Sequence, residues 1–285
     1  MKKRYHFILV LLLAFALALC GLDLRHTLPP SAPDTTPADS PVLPEKTEPP
    51  DSKPAVDADK TSTPGTESTN ETVLKAPNIP EATDAGLQYQ NQIIFVGDST
   101  THHLRHRGDL PGGRDTKQVW TPASGTLTLT YARTAPVVYP ETGEEMTIAE
   151  AAGLQKPRIM IITLGINGIS FMNETQFKTV YTGLIEDIRK VSPETVIILQ
   201  SIFPRTKGGN ENYQKITQEM IDAANVWVYE IAEKSGTYFL DTQSVLKDDN
   251  GYLQKKYSAG DGIHISKEGY AAILAYIRTH PVEFE

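Results

Sequence analysis

Three short segments of this 285-residue chain carry residue types that, if brought together, could cleave an acyl bond. The first is Ile93-Ile94-Phe95-Val96-Gly97-Asp98-Ser99, an apolar run closed by a glycine with a hydroxyl two residues later. If the run is a strand and Ser99 opens a helix, the hydroxyl sits among backbone N–H groups that favour negative charge. The second, Asp261-Gly262-Ile263-His264, offers an imidazole as base for a serine hydroxyl, with a carboxylate three residues earlier that can fold back to orient the ring. The third, Leu164-Gly165-Ile166-Asn167-Gly168, follows the most apolar run in the chain, and its Asn167 amide could donate to an oxyanion. Taken singly, each reads as ordinary structure: a capping serine, a polar loop before a helix, a turn asparagine.

The elements that must position these residues follow from hydrophobic periodicity. Strands are expected at Gln92 to Val96, Lys117 to Trp120, Arg158 to Leu164, Thr195 to Leu199 and Thr237 to Leu240. Arg158 to Leu164 is almost wholly apolar, as a parallel strand buried on both faces should be. Helical spacing is clearer. Asn173 with Gln176 forms a capping-box pattern ahead of Phe177, Val180, Tyr181, Leu184 and Ile188, and the pattern stops near Ser192-Pro193. Tyr213, Ile216, Met220, Ala224, Trp227 and Ile231 share one helical face, and Tyr270, Ile273, Leu274 and Ile277 follow Ser266 on another. Strands alternating with helices predict an α/β fold with a parallel sheet covered on both faces, and a site beyond the carboxyl ends of its strands.

Read jointly, the segments resemble the SGNH (GDSL-type) hydrolase superfamily. Gly97-Asp98-Ser99 resembles its first block, with Thr100 where Leu is usual. Ala123-Ser124-Gly125 resembles the second and Gly165-Ile166-Asn167 the third, with Gly168 where Asp is common. Asp261-Gly262-Ile263-His264, continued by Ser266-Lys267-Glu268-Gly269-Tyr270, resembles the last. The resemblance implies a three-layer α/β/α sandwich around a mostly parallel five-stranded, flavodoxin-like sheet. It implies Ser99 as nucleophile, His264 as base and Asp261 as its partner. The oxyanion donors would be the Ser99 and Gly125 N–H groups and the Asn167 side chain, with no cofactor. With no carboxylate at 168, the Asn167 amide is expected to rest on backbone contacts alone.

Around these blocks, His102, Trp120 and Phe171 are candidates to wall a substrate pocket, and of His102, His103 and His106 some are expected to line the cleft or face water. His102 and His106 share a helix face, but no further protein ligand is evident and no metal is expected. Leu110 to Arg114 is glycine-rich yet lacks the Lys-Ser/Thr ending of a phosphate loop.

The rest of the chain bears on location. Lys2, Lys3 and Arg4 precede an apolar run from Phe7 to Leu19, shorter than a typical spanning helix of ~20 residues and like a signal sequence. Leu17-Ala18-Leu19-Cys20 resembles a lipoprotein cleavage box. Cys20, the only cysteine, is then the lipidation candidate, with an uncleaved anchor or ordinary cleavage as alternatives. Residues 1–22 are thus expected to be a signal or anchor, 23–85 a linker and 86–285 the hydrolase domain. Between Thr27 and Asp84 lie 12 of the 20 prolines, 11 acidic and 4 basic residues and no aromatic, so this stretch cannot bury enough apolar surface to fold. It also holds most of the net charge of −8. No basic cluster suggests nucleic acid.

The expected function is a monomeric serine esterase tethered outside a bacterial membrane, cleaving acetyl or short acyl groups from small acylated molecules, carbohydrate or envelope polymers. A lipase- or thioesterase-like hydrolase, an acyltransferase with the same triad, and a non-catalytic binding module are the alternatives.

Overall fold

The computed structural model describes residues 77–208, 213 and 215–284. The expected signal segment, Cys20 and most of the expected linker lie outside the described residues. In chain order the elements are α1 (Gly86–Gln90), β1 (Ile93–Gly97), α2 (Ser99–Arg107), β2 (Val119–Trp120), β3 (Val137–Val138), β4 (Glu145–Met146), α3 (Ile148–Gln155), β5 (Ile159–Thr163), α4 (Glu174–Val191), β6 (Val196–Gln200), α5 (Gln218–Ser235), β7 (Tyr238–Leu240), α6 (Gln243–Leu246) and α7 (Lys267–Thr279).

Five strands make one sheet in the order β2-β1-β5-β6-β7, every neighbouring pair parallel. Side chains alternate between its faces, as strand geometry requires. Ile94 and Val96 of β1, Met160 and Ile162 of β5, and Ile197 and Leu199 of β6 join a core with α3, α4 and α5. Ile93, Phe95, Ile159, Ile161 and Ile198 join a second core on the opposite face, closed by Leu104 of α2 and by Tyr270, Ile273, Leu274 and Ile277 of α7. All five β5 residues are buried, which explains why that run reads as continuously apolar. The result is the expected α/β/α sandwich. Chain direction across the sheet reverses between β1 and β5, and ligand crevices in such sheets lie at that point.

The helices start where their caps say. Asn173 and Gln176 form a reciprocal capping box on α4, which ends at Ser192, before Pro193. Thr147 and Glu150 do the same for α3, an element the periodicity left unassigned. The small antiparallel β3–β4 pair was likewise unassigned.

Two expectations need correction. Tyr213 and Ile216 do not lie on α5. Thr217 caps that helix by accepting from the Met220 N–H at 3.2 Å, and the chain reaches it through a turn in which the Ile216 N–H meets the Tyr213 carbonyl at 3.0 Å. The last residues of the expected linker belong to the fold. Ile79 is buried, Asn78 bridges in parallel to Phe239, and the Phe239 N–H donates to the Pro77 carbonyl at 2.6 Å. Pro and acidic residues dominate the composition there, but one isoleucine and a free edge of β7 suffice to dock the strand-like segment. Among the described residues no helix is long and apolar enough to cross a membrane.

Candidate active site

Ser99 is the first residue of α2, directly past the carboxyl end of β1. Gly97 makes the turn possible: a Cβ there would lie 2.3 Å from both Thr101 Oγ1 and the Thr163 carbonyl. Asp98 caps the helix, its Oδ1 accepting from the Thr100 N–H at 3.0 Å and the Thr100 hydroxyl at 2.8 Å. Asp98 is buried, and burial pushes its carboxyl up to about 6 despite those bonds and the attraction of His264.

Across the sheet, the loop before α7 brings up the other two residues. Asp261 Oδ1 accepts from the backbone N–H groups of Ile263 at 3.1 Å and His264 at 2.9 Å, so the carboxylate is locked into its own turn. Its Oδ2 lies 2.5 Å from His264 Nδ1, and His264 Nε2 lies 3.0 Å from Ser99 Oγ. Burial acts to raise the Asp261 carboxyl, but the hydrogen bonds from the His264 ring and the two N–H groups outweigh it and hold the group below its ordinary value. The loop is pinned from three sides. The Arg107 guanidinium donates to the Ile265 carbonyl at 2.8 Å, the Thr206 N–H to the Gly262 carbonyl at 2.9 Å, and the Ser266 N–H to the Tyr257 carbonyl at 2.7 Å.

These groups open into a cavity of about 380 Å³ lined by Ser99, His102, His103, Ser124, Gly125, Thr126, Ile166, Asn167, Tyr213, Ile216, Ile263 and His264. The three sequence-predicted oxyanion residues therefore share one cavity. Two of them already have protein partners. The Gly125 N–H donates to the Pro122 carbonyl at 2.8 Å, and Asn167 Nδ2 donates to the Leu127 carbonyl at 3.1 Å and to Thr126 Oγ1 at 3.3 Å. Asn167 is thus held by a hydroxyl as well as by the expected backbone contact.

His102 is at the wall, as expected, with Nδ1 3.1 Å from Thr121 Oγ1, and its ring lies under Gly125. Trp120 and Phe171 are not at the cavity. Trp120 is fully buried in the core against Tyr139, because β2 turns it inward, and Phe171 is 61% exposed on the loop before α4. His102 and His106 rings stand 5.3 Å apart, and among the described residues no three His, Cys, Asp or Glu side chains form a metal-binding group.

His103 is one of the histidines expected to line the cleft or face water, and it lines the cavity; sequence reasoning missed Thr126, Tyr213 and Ile216 as lining residues. His103 packs its ring edge-on to His264 at 4.4 Å, and burial, reinforced by the charge of His264, pushes its imidazole down to about 4, so it stays neutral. Thr126, one residue past Gly125, had no motif to mark it. Tyr213 and Ile216 were hidden in a helix-like spacing.

The profile of the GDSL-like lipase/acylhydrolase family matches residues 95–272. This chain belongs to that family. The match spans more than half of the chain and runs from β1 into α7, so it encloses every segment of the site. Similar solved structures include a GDSL-like lipase from Bacteroides thetaiotaomicron, 17% identical over 67% of this chain and 88% of that one, with a TM-score of 0.45. An acetylxylan esterase from Geobacillus stearothermophilus is 22% identical over 73% of this chain and 98% of that one, with a TM-score of 0.41. No curated protein matches. Membership of this family makes the chain a serine hydrolase acting on ester bonds.

Proposed function

We propose that the chain removes acetyl or other short acyl groups from hydroxyls of carbohydrate or cell-envelope polymers, outside the cytoplasm. The observation that carries the chemistry is the continuous relay from Asp261 through His264 to Ser99, 2.5 and 3.0 Å long, facing a cavity that Asn167 also lines. Ser99 Oγ attacks the acyl carbon while His264 Nε2 takes its proton. The tetrahedral adduct collapses as His264 returns that proton to the departing alcohol, leaving an acyl-Ser99 ester. Water, deprotonated by His264, attacks this ester, and the acid leaves as the proton passes back to Ser99. Asp261 keeps Nε2 facing Ser99 and stabilises the imidazolium in both halves.

Two observations support the substrate class. The cavity is small and its walls are rich in hydroxyl, amide and imidazole groups, which suits a short acyl chain on a polar alcohol. Beyond it, Tyr131 and Phe171 are the exposed large aromatics among the described residues, on the two loops that also carry Thr126 and Asn167. Neither ring lines the cavity, but exposed rings on the loops that carry site residues suit the apolar faces of sugar rings. The tether and the lipidation reading of Cys20 support the location, since both put the domain at the outer face of a membrane.

The test is a series of p-nitrophenyl esters of rising chain length beside acetylated polysaccharides. Acetyl and butyryl esters should turn over fastest, and polysaccharide should release acetate. A preference for long chains with no acetate release would make the enzyme a lipase. Ser99→Ala should lose all turnover and all labelling by a fluorophosphonate probe while keeping its circular-dichroism spectrum. Labelling that survives in that variant would place the nucleophile elsewhere.

A further inference from the structure

An amide that stabilises an oxyanion must be held so that one N–H faces the reacting oxygen before the charge develops there. At Asn167 the residue best placed for that task by sequence neighbourhood is absent, since position 168 is glycine. A side chain is hard to place there. A Cβ on Gly168 would stand 2.9 Å from Met172 Sδ, and that sulfur is itself fixed by the Thr130 hydroxyl at 3.4 Å.

We propose that Thr126 is the positioning residue for Asn167, resting on the reading of the site given above. Asn167 Nδ2 has two N–H groups and two partners. The Leu127 carbonyl, at 3.1 Å, fixes which end of the amide is nitrogen, because only the nitrogen can face a carbonyl. Thr126 Oγ1, at 3.3 Å, holds the second N–H on the side where both residues line the cavity. The longer bond is the one a developing oxyanion displaces, because a charged acceptor binds an N–H about twice as strongly as a neutral hydroxyl. In the empty site Thr126 therefore keeps the donor aimed and satisfied, and in the transition state it gives the N–H up.

The position of Thr126 is fixed in turn. The Gly125 N–H closes a turn onto the Pro122 carbonyl, and the ring of His102 supports Gly125 so closely that a Cβ there would stand 2.9 Å from it. His102 is tied to Thr121. One short segment, 121–127, thus holds Gly125 in a turn that engages its N–H and also carries the partners that aim the side-chain donor.

A double-mutant cycle on the full chain tests this, using Thr126→Val, Asn167→Ala and the pair, with p-nitrophenyl acetate. Thr126→Val should lower kcat about tenfold with KM within twofold. Thr126→Ser should restore most of it, and Thr126→Val should cost nothing further once Asn167 is alanine. Losses that multiply in the double variant, or a Thr126→Val effect confined to KM, would overturn the proposal and make Thr126 a substrate contact. Melting temperatures of all four proteins identify a variant that merely fails to fold, and Thr126→Ser, which keeps the hydroxyl, then decides: if it loses kcat as Asn167→Ala does, the proposal fails. A wild type that shows neither turnover nor fluorophosphonate labelling would overturn the catalytic reading itself and this inference with it. Additive losses in an active, labelled enzyme overturn this inference alone.

Discussion

At the scale of single residues, the same carboxylate chemistry is used in opposite ways on the two sides of Ser99. Asp261 accepts three hydrogen bonds and is held ionised below its ordinary value. Asp98, buried next to Ser99, is pushed up to about 6 by desolvation. The consequence for stability follows from linkage. A carboxyl whose folded pKa lies above its unfolded value of 3.8 binds more protons when folded. Its folded state is therefore favoured at low pH, and that advantage is lost as pH rises from about 4 through about 6. Asparagine at 98 would keep an oxygen for the Thr100 N–H and hydroxyl but could not ionise, and it is an equally good helix cap. Asp98→Asn should raise the stability at pH 7 by roughly 1–3 kcal/mol while changing little at pH 4, read from thermal or urea unfolding at both pH values. Equal effects at the two pH values would show that Asp98 is not strained by its charge. Had the carboxylate's attraction for His264 outweighed the desolvation, the variant would be less stable at pH 7 instead.

At the scale of elements, the site is two strand-following segments and the loop before α7, held in register by backbone contacts. Its residue types were legible because strand β1, strand β5 and the loop before α7 each ended in a short, distinctive string. The lining of the cavity was not, for physical reasons. Thr126 and Ser124 act from a turn whose path depends on the His102 ring beneath it, a contact with no sequence period. Tyr213 reaches the cavity because the chain turns before Thr217, although its spacing from Met220 continues a helical pattern. Trp120 was misplaced for a related reason: β2 is buried on both faces, and only the pairing of Val96 with Trp120 across the sheet shows that Trp120 joins the core of Ile94 and Val96 rather than the cavity. The contact between Gly125 and His102 makes a testable claim about the turn. Gly125 sits at φ +73, a conformation that L side chains rarely adopt, with the imidazole against it. Gly125→Ala should lower kcat by at least tenfold and also lower the melting temperature. His102→Ala in that background should recover part of the stability by making room, while leaving the backbone strain and hence the lost rate in place. A Gly125→Ala enzyme with normal kcat and melting temperature would show that the turn has slack.

At the scale of the whole molecule, a parallel sheet was legible from five apolar runs separated by helical stretches, while its flavodoxin-like arrangement was implied only by the family resemblance and the order β2-β1-β5-β6-β7 is read from the structure. Where the domain starts was not legible. Composition puts the boundary at residue 86, because prolines and charges continue to Asp84. The fold puts it at least as early as residue 77. Ile79 is buried in the same core as Leu240 and Val282, the Pro77 carbonyl caps the open edge of β7, and Ala82 and Ala85 donate to the Thr279 and Arg278 carbonyls at 2.7 and 2.9 Å, satisfying the end of α7. The Asp84–Arg278 ion pair at 3.2 Å is exposed on the Asp84 side and adds little. A composition average cannot detect this, since one apolar residue and a few backbone groups do the docking in a segment that is otherwise linker-like. A fragment starting at residue 77 should therefore melt higher than one starting at 86, by several degrees, as loss of about 1.5–3 kcal/mol of buried isoleucine and of the edge hydrogen bonds implies. Ile79→Asp in the longer fragment should reproduce most of that drop. Ser99 follows β1, three places from β7 in the sheet order, and Ala82 and Ala85 meet α7 at the end away from His264, so kcat on p-nitrophenyl acetate should be the same in both fragments well below their melting points. Fragments of equal melting temperature would return residues 77–85 to the linker, and a fall in kcat without a fall in melting temperature would mean that the segment acts on the site itself.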